Sequence, residues 1–191
     1  AALMMSAAGQ LSHFPESSWP WYTSEAGNAA QKSNLALGTS GPDAITGYMN
    51  DFGTSNADVG HRRWLLYPQT SVMGNGDVPG EVNQGLQPAN ALWVIPEASE
   101  ERPATRDEFV AWPPRGHVPA NLVFARWSLA HPDADFSAAS VSMKAGDQSI
   151  PVQLEPVDTR FIGEPTLVWV PDGMDSNSKA HWPVPEADEA I

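Results

Sequence analysis

Asn56-Ala57-Asp58-Val59-Gly60-His61-Arg62-Arg63-Trp64-Leu65-Leu66 is the stretch around which the chain organises itself. It sets a histidine beside a glycine, follows it with a basic pair, and closes on large apolar residues. Imidazole is the side chain best suited to metal ligation or proton transfer near neutral pH. Residues 59–67 are otherwise apolar, and their pattern allows either a helix or a strand. A second histidine ends Gln10-Leu11-Ser12-His13, again beside a helix-like segment. The expectation is that His13 and His61 meet across the fold and line one site.

Working upstream from His61, Ser40-Gly41-Pro42-Asp43 reads as a helix start. Pro42 suits the first helical position and Asp43 favours the positive helix end. Ala44, Ile45, Tyr48, Met49 and Phe52 then form one apolar stripe, and Gly53 is the expected closing residue. Residues 1–9 read as a helix that stops at Gly9. Because Ala1-Ala2-Leu3-Met4-Met5 already has the character of a helix interior, the chain is expected to be a mature or trimmed fragment. Residues 15–32 read as a long ordered loop with a short helical turn at Asn28–Lys32.

Downstream, Val72–Val78 and the buried apolar run Ala91–Ile95 read as strands, with a Gly/Pro/Asn-rich loop between them. The polar, charged residues 97–108 read as a linker. Beyond it the pattern is β-like. Ala120–Trp127, Ala138–Lys144, Ser149–Leu154 and Thr166–Val170 have strand character, and Ala145-Gly146-Asp147-Gln148 marks a turn. Residues 172–191 read as an acidic tail or edge. Asp133, Asp135 and Asp147 lack calcium-loop spacing and read as turn residues.

Composition narrows the function. The 191 residues carry ten Lys plus Arg against twenty-three Asp plus Glu, a formal net charge of −13. That field repels phosphate backbones and anionic membranes, so nucleic acid is excluded as the expected partner. Cations and neutral ligands stay open. The absence of cysteine excludes disulfides, thiolate metal sites and a Cys nucleophile. No apolar run reaches transmembrane length.

Taken in order, the elements of the first half resemble the CAP superfamily, the fold of plant pathogenesis-related 1 proteins, cysteine-rich secretory proteins and venom antigen 5. Leu11-Ser12-His13 is similar to the family's histidine after an early helix. Ser33-Asn34-Leu35-Ala36 is similar to its Gly-Glu-Asn-Ile/Leu-Ala segment, Tyr48-Met49-Asn50-Asp51 to its Trp-x-x-Glu, and Gly60-His61 with Trp64 to its Gly-His motif. The Gly60-His61-Arg62-Arg63-Trp64 run resembles a bacterial, disulfide-free branch. The resemblance implies an α+β architecture: an α/β/α CAP-like sandwich over residues 1–96, without the family's first helix, a linker at 97–108, and a smaller β-rich segment over 109–191.

It also implies a cleft lined by His13, Ser33, Asn34, Asp51 and His61. The family's two histidines and two acids become His13, His61, Asp51 and Ser33, so one carboxylate is replaced by a hydroxyl and the other is a methylene shorter. His13, His61 and Asp51 are the implied metal ligands, for zinc if a divalent cation is bound at all. Asp51 would ligate directly or orient an imidazole from behind.

The expected role is an exported, secreted or cell-envelope binding module rather than an enzyme. Its ligand would be a divalent cation, a small apolar molecule or a cell-envelope component. Two rivals stand beside it: a metal-assisted or His-based hydrolase, in which His61 and His13 hold a metal-bound water or act as acid and base with Asp51 as orienter, and a structural or adhesive module. A Ser33–His61–Asp51 triad lacks the nucleophile-elbow signature. Arg62 and Arg63 are expected to pair with the protein's own acids. Trp19, Trp21, Tyr22 and Trp64 are expected in the core, with an apolar ligand groove as the alternative.

Overall fold

A computed structural model describes residues 1–80, 85–96, 101–157 and 163–183. Helices and strands are both well represented, so the chain is of the mixed α+β class. Two compact units interleave in sequence. The first comprises 1–49 and 67–103, the second 50–66 and 104–191. Part of the expected linker (97–100) and of the expected tail (184–191) lies outside the described residues, as do 81–84 of the Gly/Pro/Asn-rich loop.

The first unit is built on α1 (Ala2–Ala8), α2 (Ser24–Gln31), β1 (Ser33–Leu37), most of α3 (Gly41–Asn50), β2 (Gly74–Val78) and β3 (Ala89–Trp93). As expected, α1 ends where Gly9 adopts the left-handed conformation. The segment expected to be mostly loop instead holds the two turns of α2. Thr23 starts it by accepting a hydrogen bond from the Ala26 amide, a cap that satisfies one of the orphan donors at a helix start. β3 lies between β1 and β2, antiparallel to both, with Ser33 opposite Trp93 and Asn34 opposite Leu92. Met4 and Met5 of α1 and Ala30 of α2 pack with Leu35, Val78, Ala89 and Ala91 to form its core, with Trp19 and Tyr22 against the edge. Trp21 departs from expectation. It is 58% exposed, at a left-handed φ of 56°.

A polar chain fixes α3 on this sheet. The Tyr48 hydroxyl lies within hydrogen-bond distance of the Asn34 carbonyl and of Asn90 Oδ1, and Asn90 Nδ2 donates to Asn75 Oδ1 and Asp77 Oδ1. Asp77 Oδ1 also accepts from the Gly41 amide at 2.7 Å, capping α3 from a strand thirty-six residues away. Burial, assisted by the charge of Asp77, pushes the Tyr48 phenol up.

The second unit holds α4 (Gly60–Leu65) and the strands β4 (Val110–Trp112), β5 (Trp127–Ala130), β6 (Met143–Ala145), β7 (Gln148–Ile150), β8 (Val152–Leu154) and β9 (Thr166–Pro171). Four strands make an antiparallel sheet in the order β4-β5-β9-β8, and β6-β7 is a separate hairpin closed by Gly146-Asp147. The ambiguous segment 59–67 is therefore helical. Two strand expectations are corrected. Ala120–Leu122 forms a 3-10 turn, and β5 begins only at Trp127. Over 138–144 only the last two residues join a strand. Yet Ala139, Val141 and Met143 are half-buried while Ser140, Ser142 and Lys144 are exposed. The alternation reports an extended backbone with two distinct faces, which does not require a hydrogen-bonded neighbour.

Candidate functional site

The close of α3 creates the site. The helix ends at Asn50, and the next residue, not Gly53, takes the left-handed conformation: Asp51 has φ 54°. Gly53 has φ 96° and ψ 158°, outside that region. Asp tolerates the left-handed region better than most L-residues, because its short side chain bonds locally. Here the turn brings the Asp51 carboxylate to the start of α4.

Val59, which precedes α4, is apolar and gives no side-chain cap. Asp51 fills that role from across the loop. Its Oδ2 accepts from the His61 amide at 2.9 Å and from the Arg62 amide at 3.3 Å. The carboxylate follows the C-terminus of α3, an unfavourable place for an acid, yet sits at the positive end of the following helix. Val59 is itself left-handed at φ 47° and fully buried. For a β-branched residue that is strained, and with Asp51 it makes two such positions on either side of one short loop.

The other carboxylate oxygen meets the imidazole. His61 Nδ1 lies 2.7 Å from Asp51 Oδ1. A carboxylate only accepts, so the shared proton is on Nδ1, and the neutral ring carries its lone pair at Nε2. The His61 side chain is 31% exposed while that of Asp51 is 1% exposed. Burial lowers the basicity of the ring. The hydrogen bond and negative charge of Asp51, with a smaller contribution from Asp58, outweigh it and raise His61 above the ordinary histidine range.

The basic pair behind His61 faces inward. Arg62 is 0% exposed. Its guanidinium donates to the carbonyls of Arg126 (2.8 Å) and Asn50 (3.1 Å) and to Ser128 Oγ (3.2 Å). Arg63 donates to the Glu164 carbonyl. The acceptors in these bonds are carbonyls and a hydroxyl, and the negative charge of Asp51 also acts on Arg62. Burial pulls the Arg62 guanidinium down to about 10; Asp51 pulls it back up and Arg126 presses it lower, and it stays charged at neutral pH.

Of the expected cleft residues, Asp51 and His61 are brought together in the second unit. The other three belong to the first unit. His13 is exposed, and its Nδ1 donates to the Ala30 carbonyl in the last turn of α2 at 2.8 Å, satisfying an acceptor that the helix leaves open. Ser33 and Asn34 are buried in β1. Among the described residues, no group of three or more His, Asp or Glu side chains gathers in a way that could hold a metal. Asp51 is already committed to the Nδ1–H of His61 and to two amides. It fits a role behind the imidazole, not direct ligation, which is the second of the two roles foreseen for it.

Arg126, 3% exposed, joins this site without being among the residues expected there. Its signal was present: a single charge inside Val123-Phe124-Ala125-Arg126-Trp127, where burial without a partner is prohibitive. No protein-family model matches the chain, and neither does any curated protein or solved structure.

Proposed function

We propose that the chain is an exported bacterial CAP-like binding module whose working group is the His61 imidazole, backed by Asp51. The observation that carries this reading is the 2.7 Å contact between His61 Nδ1 and Asp51 Oδ1 at a ring that is one-third exposed. A carboxylate behind an imidazole sets its tautomer and increases its donor strength, which prepares Nε2 for a divalent cation such as zinc or for a ligand hydroxyl. Two left-handed residues, Asp51 itself and Val59, support the reading, because such strain persists where the surroundings over-determine a geometry. The likeness of Gly60-His61 and Trp64 to the CAP pattern gives the sandwich architecture and the small apolar or cell-envelope ligand as companions of this proposal.

Calorimetry with zinc chloride tests it. Saturable binding is expected in the wild type and a loss of at least tenfold in affinity in His61→Ala with an unchanged circular dichroism spectrum. The reading fails if zinc gives no heat and no sterol, lipid or peptidoglycan fragment shifts the melting temperature.

The same dyad favours one second reading, a hydrolase in which His61 acts as general base with Asp51 as its orienter. Positioned proton transfer contributes about 10²–10⁴-fold. Turnover of a peptide, ester or glycan substrate, insensitive to chelator and reduced at least a hundredfold in Asp51→Asn, would replace the binding module by this enzyme.

A further inference from the structure

We infer that Arg126, held by Glu155, is the positioning residue for the His61 site, acting through the backbone of Asp51. The inference rests on the Asp51–His61 reading above and extends it inward.

The side chain of Asp51 reaches His61 only because its backbone is left-handed, a conformation that L-residues leave unless something holds them. Arg126 holds it. Its Nη1 donates to the Asp51 carbonyl at 2.8 Å and to the Ser176 carbonyl at 3.1 Å, and its Nη2 donates to Ser176 Oγ at 3.3 Å. The Ser176 carbonyl also accepts from the Gly53 amide at 2.9 Å, so the residues on both sides of Phe52 are tied to one point. Nε of Arg126 donates to Glu155 Oε1 at 3.2 Å. The planar fork presents these donors in fixed directions, and a lysine ammonium in the same place has no such fork. Glu155 follows β8, and Arg126 immediately precedes β5. The four-stranded sheet thus supplies the rigid base, and the run Glu155–Arg126–Asp51–His61 ends at the partly exposed ring.

None of these contacts touches a ligand at Nε2, so the effect belongs to orientation. It has a spectroscopic signature that general destabilisation does not produce. With Asp51 fixed, the neutral His61 ring is a single Nδ1–H tautomer, and its bonded proton exchanges slowly with water. With Asp51 released, the ring relaxes to a mixture in which Nε2–H predominates and the proton exchanges rapidly.

The experiment is long-range nitrogen–proton correlation spectroscopy of the full chain, with exchange rates for the imidazole proton, in the wild type, Arg126→Lys and Glu155→Ala. Circular dichroism establishes that each variant is folded. Expected are a pure Nδ1–H ring in the wild type and, in both variants, mixed tautomers with exchange at least tenfold faster. A folded variant that keeps the wild-type tautomer and exchange within twofold overturns the positioning role. Should Arg126→Lys fail to fold, Glu155→Ala decides alone, since the Glu155 side chain is partly exposed and its loss removes one bond. If the wild type itself shows no Nδ1–H ring, the Asp51–His61 reading fails first, an outcome distinct from unaltered variants on a wild-type background that does show it.

Discussion

Asp51 converts a helix ending into a site. A left-handed residue costs about 1–2 kcal/mol, and here that strain is offset by four hydrogen bonds to one residue: three at the carboxylate and one at the carbonyl. The consequence for His61 is a pH dependence with a definite sign. Its folded basicity is raised, so the protonated ring contributes stability that is fully present below the unfolded value of about 6.5 and is lost as pH rises through the folded value. Chemical denaturation of the wild type and of His61→Gln across pH 5.5 to 9 should therefore give a stability difference that shrinks with rising pH. A difference that is flat or grows with pH contradicts the assignment. The histidine was legible in the sequence as a candidate, but its partner's conformation was not. Gly53 is the stronger left-handed former by propensity, and the tertiary hydrogen bonds from His61, Arg62 and Arg126 hold the chain in a turn two residues earlier.

Short elements in this chain are stabilised by what they dock on. α4 has six residues, too few to persist alone in water. Its start is capped by Asp51, and Arg62 anchors its body to β5 through Ser128 and the Arg126 carbonyl. Arg62→Ala would leave three buried acceptors without this donor and open a cavity. The expected cost is on the order of 3–5 kcal/mol, measured by denaturant unfolding. Arg62→Lys should recover less than half of that loss, because one ammonium cannot reach all three acceptors. A loss below about 1 kcal/mol for Arg62→Ala would show that the guanidinium is not what binds α4 to the sheet. Legibility follows the same division. Gly9 ends α1 where local backbone freedom dictates it, and Gly146-Asp147 turns the β6-β7 hairpin for the same reason. The strand expected over Ala120–Trp127 failed because apolar composition reports burial, not pairing: Val123 to Arg126 are buried, and among the described residues Phe124 bridges only to His181.

The charge of the chain as a whole acts on every site at once. A net −13 spread over 191 residues repels itself and any polyanion. Raising ionic strength from about 0.02 to 0.2 M shortens the screening length severalfold, and the melting temperature should rise by a few degrees. Retention on a DNA or heparin column at low salt would contradict this account of the field. Such a field favours cations near a partly exposed imidazole, in keeping with the proposed ligand class. No described helix is long and apolar enough to cross a membrane. The measurement that tests the central claim most directly is a proton-resonance pH titration of the His61 ring in the wild type and in Asp51→Asn. The midpoint should lie above about 6.5 in the wild type and fall once the carboxylate charge is removed. A wild-type midpoint at or below 6.5, unchanged in Asp51→Asn, would contradict the claim that Asp51 prepares His61 for its task.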